Sequence, residues 1–402
     1  MNEEDMIKSL MALPVADSEG FKYILELIKR DKKFKMIVFS MEQGDMNRIK
    51  SQHVDESTFE INGLSDYSKE FIFDESLVGS LANNEQTCRV PIGHQFNIDL
   101  NIGKLINTFI NETRSLRADE QFIIDYLLKE TPKVPINVMS FIQERKTHKQ
   151  NIEDKSLYQV LLSIAQFEKM RELNLKEIPD SNECISIADK WWGVVSKNND
   201  DFQQGLDLKY LVLYNFLLKV VYLQIKYSKK KEASIKRNNL LEFINSKLFT
   251  YPENEFWYAF NLFSGKEFAQ KIFNKFSSNK TAEDNIKMIK NMAWDLFHIR
   301  LTELILEEDS ILYNKVVLPL FISEDKQLNN YIKFNPIKKI IFFKEKMYLA
   351  RENNALEELT EEEYNLFVDK ISQRKSSQKK LSNDYLRRLS QELESDLLEI
   401  CS

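Results

Sequence analysis

Phe96-Asn97-Ile98-Asp99-Leu100-Asn101-Ile102 is the stretch on which the fold turns. Apolar and polar residues alternate through all seven positions, the period of an extended chain, with Phe96, Ile98 and Leu100 on one face and Asn97, Asp99 and Asn101 on the other. A strand is therefore predicted over 96–102. Helices follow near Lys104 to Glu112 and Ala118 to Glu130, and Pro132 and Pro135 punctuate what comes next. Further strand-like runs stand far downstream at Val316 to Ile322 and Ile337 to Phe343, separated by a helical turn around Lys326 to Tyr331. Either strand group alone is too small for a stable sheet. The first-ranked reading is one α/β domain with an insertion; two unrelated domains in series rank second.

The intervening sequence is helical by pattern. Residues 150 to about 280 run almost continuously in helical periodicity, with Trp191-Trp192 and Trp257-Tyr258 as core-filling pairs. From Thr281 a long helix runs to about Leu306, opened by Thr281 with Asp284 three residues on, a variant of the capping box. Ahead of all this, residues 1–85 form a mixed segment with a helix near Phe21 to Ile28 and a strand at Met36 to Phe39, and its role is not legible. The expected division is that segment, a split α/β domain at 86–150 and 281–350, a helical insertion at 151–280, and a basic helical segment at 351–402 with a loosely held end. There is no internal repeat.

Composition limits the chemistry. With 402 residues, 43% of them hydrophobic and 29% charged, the chain reads as an ordinary globular protein large enough for two or three domains. Nine glycines and eight prolines are too few for a hairpin-rich sandwich, so helix dominates. The glycines never space themselves into G-x-G-x-x-G or a P-loop, which excludes those nucleotide sites. Cys88, Cys184 and Cys401 make no C-x-x-C, and the four histidines make no H-E-x-x-H. Unpaired thiols and an acidic start, Met1-Asn2-Glu3-Glu4-Asp5, lead to the expectation of a cytoplasmic protein. The apolar window Tyr210 to Ile225 is interrupted by Asn215, Lys219 and Gln224, so it reads as a buried bundle helix before it reads as a membrane span.

The net charge of −6 disfavours a generic polyanion binder, but local distribution can reverse that. Lys226, Lys229, Lys230, Lys231, Lys236 and Arg237 form one basic cluster, and a second spans Lys370 to Arg388. Each is either a solvated face or linker, or a rim that contacts RNA or DNA.

What remains is carboxylate and metal chemistry. A divalent cation that activates water needs several convergent carboxylates, often at the carboxyl ends of parallel strands. Asp99 stands near such an end, although a solvated strand face accounts for it equally well. Asp295 lies in a mostly apolar helix, on one stripe with Asn291, His298 and Thr302, either as a wet face or as a partly buried, paired carboxylate. Asp325 follows the strand ending at Ile322, where an acid opening a helix is an N-cap or a metal ligand.

With Ile98-Asp99-Leu100-Asn101, Ala293-Trp294-Asp295-Leu296-Phe297-His298 and Phe321-Ile322-Ser323-Glu324-Asp325-Lys326-Gln327-Leu328 in this order, the chain resembles the PIN-like nuclease family over about residues 90 to 350, the helical block set aside. A further family acid on an intervening helix matches Glu144 best, within Val138 to Arg145. The long insertion and the thirty-residue step from Asp295 to Asp325 depart from the compact family pattern.

The resemblance implies a three-layer α/β/α domain with a small parallel sheet, interrupted by a large helical insertion. It further implies an acidic cluster that binds Mg²⁺ or Mn²⁺ and hydrolyses single-stranded RNA or, second, DNA. Asp99, Asp295 and Asp325 would ligate metal, and Glu144 would ligate it or hold the attacking water. Asn101 and Ser323 would bond water or phosphate, and Lys326 would offset phosphate charge. A regulating protein partner, in a bacterial toxin or phage-defence setting, follows only from that nuclease reading.

Two competitors remain. Arg89 to His94 fits the Arg-x-x-x-x-His string of the helical HEPN nucleases, but Pro91 and Gly93 fall inside it and break a helix. The other is a non-catalytic helical interaction or nucleic-acid-binding scaffold whose acids are ordinary surface groups.

Overall fold

In the computed structural model the chain opens with helices α1 (Glu3–Ala12) and α2 (Ser18–Arg30), followed by strands β1 (Lys35–Ser40), β2 (Gln52–His53), β3 (Glu60–Gly63) and β4 (Lys69–Phe73). Strand β5 (Ile92–Ile98) leads into α3 (Leu100–Asn111) and α4 (Ala118–Lys129). The short β6 (Ile136–Asn137) precedes α5 (Met139–His148), α6 (Lys155–Leu173) and α7 (Asn182–Ser196). Helices α8 (Asp200–Lys226), α9 (Ala233–Phe243), α10 (Glu253–Phe263), α11 (Glu267–Phe273) and α12 (Ala282–Leu312) come next. Then follow β7 (Val316–Ser323), α13 (Lys326–Phe334), β8 (Ile337–Phe343) and β9 (Lys346–Arg351), and α14 (Glu361–Asp369), α15 (Ile371–Gln378) and α16 (Asn383–Cys401) end the order. The structure describes residues 3–12, 18–40, 52–53, 60–63, 69–76, 92–129, 134–148, 155–179, 181–196, 200–273, 275–277, 279–312, 316–323, 326–378 and 381–401.

Two compact units emerge, Met1–Ser196 with Leu301–Glu352, and Lys197–Arg300 with Asn353–Ser402. The first holds both sheets. One runs β4-β1-β8-β9, antiparallel throughout. The other runs β2-β3-β7-β5-β6, in which β7, β5 and β6 are parallel and β2 and β3 extend the β7 edge antiparallel. The helix-rich α/β class and a small parallel sheet are thus present. Strand β7 is buried at every position, the near-continuous apolar run that a parallel strand covered on both faces requires. Its Pro319 lies one residue beyond the β3 pair Gly63–Leu320, an edge-like position where a missing N–H is tolerated.

The β5 face that carries Phe96 and Ile98 forms one core with Leu320 and Ile322 of β7 and the apolar sides of α3 to α6. Each fully buried side chain of this kind contributes about 1.5–3 kcal/mol. A second core gathers α1 and α2 over β1, β4 and β8 through Leu10, Ile24, Phe34, Met36 and Ile341.

Several expectations change. Strand β5 ends at Ile98, and Asn101, expected on the strand, is an exposed residue in the first turn of α3. The segment 1–85 supplies strands to both sheets, because β1 pairs with β8 and β3 with β7. Residues of α6 expected in the insertion, among them Leu157, Leu161, Ile164 and Phe167, belong to the sheet's own core. The run Ile337–Phe343 forms a strand, but its partners are β1 and β9.

The second unit is helical. Helix α8 contains a stretch, Gln203–Lys226, long and apolar enough to cross a membrane, yet 61% of its most apolar window is buried in the protein. Asn215 within it is fully buried and donates to the carbonyls of Leu211 at 2.8 Å and Leu386 at 3.0 Å. Helix α16 packs along α8 through Leu386, Leu389, Leu393 and Leu397, whose spacing makes one buried stripe, so this last helix, expected to be loosely held, is docked and carries more acids than bases.

Candidate functional site

From β5 the chain passes through α3 and α4 to β6 on one side, and the later β7 lies on the other side of β5. Connections that leave a strand in opposite directions make a topological switch point, and ligands of open α/β sheets bind beyond the strands' carboxyl ends there. Ile98 pairs with Ile322 in the parallel register, so the next residues, Asp99 and Ser323, face each other at the ends of β5 and β7.

Asp99 is buried, at 8% exposure, and has extended backbone, φ −81° and ψ 178°. Its Oδ1 accepts from Ile102 N at 2.9 Å as the N-cap of α3. Its Oδ2 accepts from Ser323 Oγ at 3.0 Å. The negative charge therefore sits at the positive end of a helix and on a hydroxyl donor, both of which favour the ionised carboxylate. Ser323 is held in turn by its carbonyl, which accepts from Asn329 Nδ2 of α13 at 3.3 Å. One turn into α3, Gly103 lets α5 approach, since a Cβ there would lie 2.8 Å from the Phe141 ring.

Two further polar groups are buried in this unit. Asn97 alternates with the core-facing Phe96 and Ile98, is fully buried, and has neither amide atom hydrogen-bonded. Ser140 Oγ, in the first turn of α5, is likewise buried without a partner. Beside it Asn137 Oδ1 accepts from Met139 N at 2.8 Å.

The acids of the sequence reading fall in different places. Asp99 and Ser323 are brought into direct contact. Asp325 and Glu324 lie outside the described residues. Glu144 sits on α5 and Lys326 opens α13, both at positions whose side chains are not described. Asp295 belongs to the second unit, half-buried on α12 beside Trp294, which stacks on Tyr210 at 4.5 Å. Its stripe is neither wholly wet nor wholly dry, for Asn291 is exposed while His298 is buried. His94 stands on β5, so the Arg-x-x-x-x-His string is not on a helix at its described end.

A metal needs more than one carboxylate. Among the described residues no group of three or more His, Cys, Asp or Glu side chains could hold an ion. Each Asp99 oxygen accepts a hydrogen bond, and a carboxylate oxygen can take more than one contact. Asp99 thus fits as one ligand, and the described residues do not complete a shell.

Sequence reasoning missed the ion pair beneath this site. Arg171 on α6 is 1% exposed, donates to the carbonyls of Leu127 at 2.9 Å and Val134 at 2.8 Å, and is paired with Glu168. Glu168 also accepts from Ile136 N of β6 at 3.2 Å. Burial pushes the Glu168 carboxyl up and the Arg171 guanidinium down, the opposite of what their pairing does. The signal in sequence was Glu and Arg at i, i+3 in an otherwise apolar helix.

The basic clusters are sorted by the fold. Lys236 is buried and donates to Gln224 at 3.0 Å, Arg237 pairs with Glu363 at 2.6 Å, and Arg374 is buried over the Phe367 ring at 4.0 Å. Lys226, Lys229 and Lys231 stay exposed. Compared with known proteins, the chain matches no family model, no curated protein and no solved structure.

Proposed function

We propose that the chain is a metal-dependent endonuclease that hydrolyses phosphodiester bonds of single-stranded RNA, working in the cytoplasm with its reacting centre at the carboxyl ends of β5 and β7. The observation that supports this is the buried Asp99–Ser323 pair at the switch point. Mg²⁺ or Mn²⁺, held by Asp99 and by Asp325 two residues beyond Ser323, would supply a Lewis acid and an activated water. Asp99 is rigid because both of its oxygens are anchored, which gives a charged group a fixed position before substrate arrives. Ser323 Oγ orients that carboxylate. The family resemblance implies Glu144 and Asp295 as further acids; Glu144 belongs to the same unit as Asp99, and Asp295 belongs to the second.

A second reading has its own observation. Both Asp99 oxygens already accept hydrogen bonds, which is what a purely structural cap and strand-end clasp would show. In that case the chain is a non-catalytic helical interaction or nucleic-acid-binding scaffold.

The experiment is cleavage of labelled single-stranded RNA and DNA with Mg²⁺ or Mn²⁺ and with chelator. The intact chain is compared with Asp99→Asn, Glu144→Gln, Asp295→Asn and Asp325→Asn. A chelator-sensitive activity that falls about a hundredfold or more in Asp99→Asn and Asp325→Asn is expected. Equal cleavage by every variant removes the proposed reacting centre at β5 and β7, and no cleavage together with no metal binding by calorimetry selects the scaffold. For a toxin or defence setting, overproduced intact chain should arrest growth and Asp99→Asn should relieve the arrest; a harmless intact chain counts against it.

A further inference from the structure

Helix α8 ends in Lys226 and runs into Tyr227-Ser228-Lys229-Lys230-Lys231, four lysines within six residues. The fold leaves Lys226, Lys229 and Lys231 outside while burying Lys236 and pairing Arg237 of the same cluster. Lys226, Lys229 and Lys231 are exposed, and none is ion-paired with a carboxylate among the described residues. One acid is built into the turn itself, Glu232, and its carboxylate is occupied by Lys229 N at 3.0 Å.

Aromatic rings are interleaved with the charges. Lys226 Nζ donates to the Tyr222 hydroxyl at 2.8 Å and lies 5.2 Å from that ring's centre and 5.8 Å from that of Tyr227. Lys219, one turn earlier, lies 5.0 Å from Tyr222. Asp396 and Glu242 act on Lys219, and Asp396 acts on Lys226 as well, while Lys229 and Lys231 are exposed on the turn itself. Tyr222 and Tyr227 are both half-buried, held in place with part of each ring accessible. Ammonium groups that track a phosphate backbone, set beside fixed aromatic faces on which bases stack, are what a sequence-tolerant single-strand binding surface requires.

We propose that the lysine-tyrosine turn at the end of α8, residues 222–231, is a binding surface for single-stranded nucleic acid. This deepens the nuclease reading and rests on it for the purpose of the bound strand. The surface lies wholly within the second unit.

The test is fluorescence anisotropy of the full chain with a labelled oligouridylate of about 16 nucleotides, in excess EDTA so that nothing is cut. Combining Lys226→Ala, Lys229→Ala and Lys231→Ala should weaken binding at least about tenfold near 100 mM salt, and should lower the slope of log K against log salt by about 2. Tyr227→Ala should weaken single-strand binding with the salt slope unchanged, because stacking releases no counterions. Unchanged circular dichroism shows that the variants fold.

Absence of oligonucleotide binding by the intact chain overturns the proposal. So does an unchanged affinity and slope in the triple variant, or a turn that captures anionic vesicles and not the oligonucleotide. The Asp99→Asn variant separates the two readings. If it cuts normally while the triple variant loses binding, the nuclease reading fails and the surface stands; if it loses cutting while the triple variant binds fully, the surface fails and the nuclease stands.

Discussion

The two units bury cations by the same two means in different proportion. In the sheet-bearing unit, Arg171, Lys339 and Arg351 all donate to main-chain carbonyls. Lys339 reaches Leu10 O at 3.3 Å and Met11 O at 2.7 Å at the end of α1, and Arg351 reaches Asn335 O at 2.8 Å while paired with Glu303. In the helical unit, Arg374 and Lys236 lie over the rings of Phe367 at 4.0 Å and Phe263 at 5.3 Å, and each bonds a neutral side-chain amide, Asn245 and Gln224; Arg374 also donates to the Phe367 carbonyl at 2.8 Å, as Arg171 in the first unit also lies over the Phe96 ring at 5.6 Å. Where strands and short helices end inside a core, carbonyls need donors. Long helices satisfy most of their own carbonyls, so aromatic faces take a larger share of the charge there; the Phe367 carbonyl can accept because α14 ends at Asp369.

The sharpest break of this contrast is Arg171→Ala set against Arg374→Ala. Removing Arg171 leaves the half-buried Glu168 without its cation and the Leu127 and Val134 carbonyls without their donor, so a loss of about 3 kcal/mol is expected. Removing Arg374, whose partners are uncharged, costs about 1–2 kcal/mol. Hydrogen exchange followed by peptide should show the first loss in β5, β6 and α4 and the second in α14 and α15; equal losses would erase the distinction.

Lys339 gives a pH test. Burial, with Lys338 adding repulsion, lowers its pKa from the ordinary lysine value to about 8. Between about pH 8 and the unfolded value near 10.4 the folded chain binds fewer protons than the unfolded one, so stability rises with pH across that window. Below pH 8 the full cost of the buried charge is present. The expected rise is about 2 kcal/mol in urea unfolding curves, and Lys339→Met should flatten it; a rise that survives the substitution assigns it to another group.

Smaller effects sharpen the picture at the switch point. Asp99→Ala should cost about 1–2 kcal/mol through loss of the α3 cap, whereas Asp99→Asn, which can still cap, should cost less. An Asn variant as unstable as the Ala variant would mean that the charge, and not the cap, is what the fold uses. Gly103→Ala should be near 1 kcal/mol destabilising, since displacing the Phe141 ring outweighs the gain in helix propensity. A stabilised Gly103→Ala, read by thermal melting, would show that α5 yields without strain.

Much of the fold was legible locally. Helices α3, α4 and α12 and strands β1, β7 and β8 lie close to where periodicity placed them. The strand over 96–102 overran because Ile102 serves two periods at once. It continues the alternation of Ile98 and Leu100, and it also begins the helical set Ile102, Leu105, Ile106, Ile110 that is buried in α3. Asp99 was visible as an acid at a strand end. Its contact with Ser323 spans 224 positions and leaves no local trace. The basic cluster after α8 was visible too, but not which of its members would turn inward.

Local pattern, then, determined the helix-rich class, the absence of glycine-loop and thiol chemistry, and the acids and lysines available, because side-chain period and backbone propensity act over a few residues. Tertiary structure decided that β5 lies between β6 and β7, that the first 85 residues feed both sheets, and that Asp99 meets Ser323. Those depend on strand pairing and register, which follow from burying whole faces against distant segments and not from any one segment's own preference.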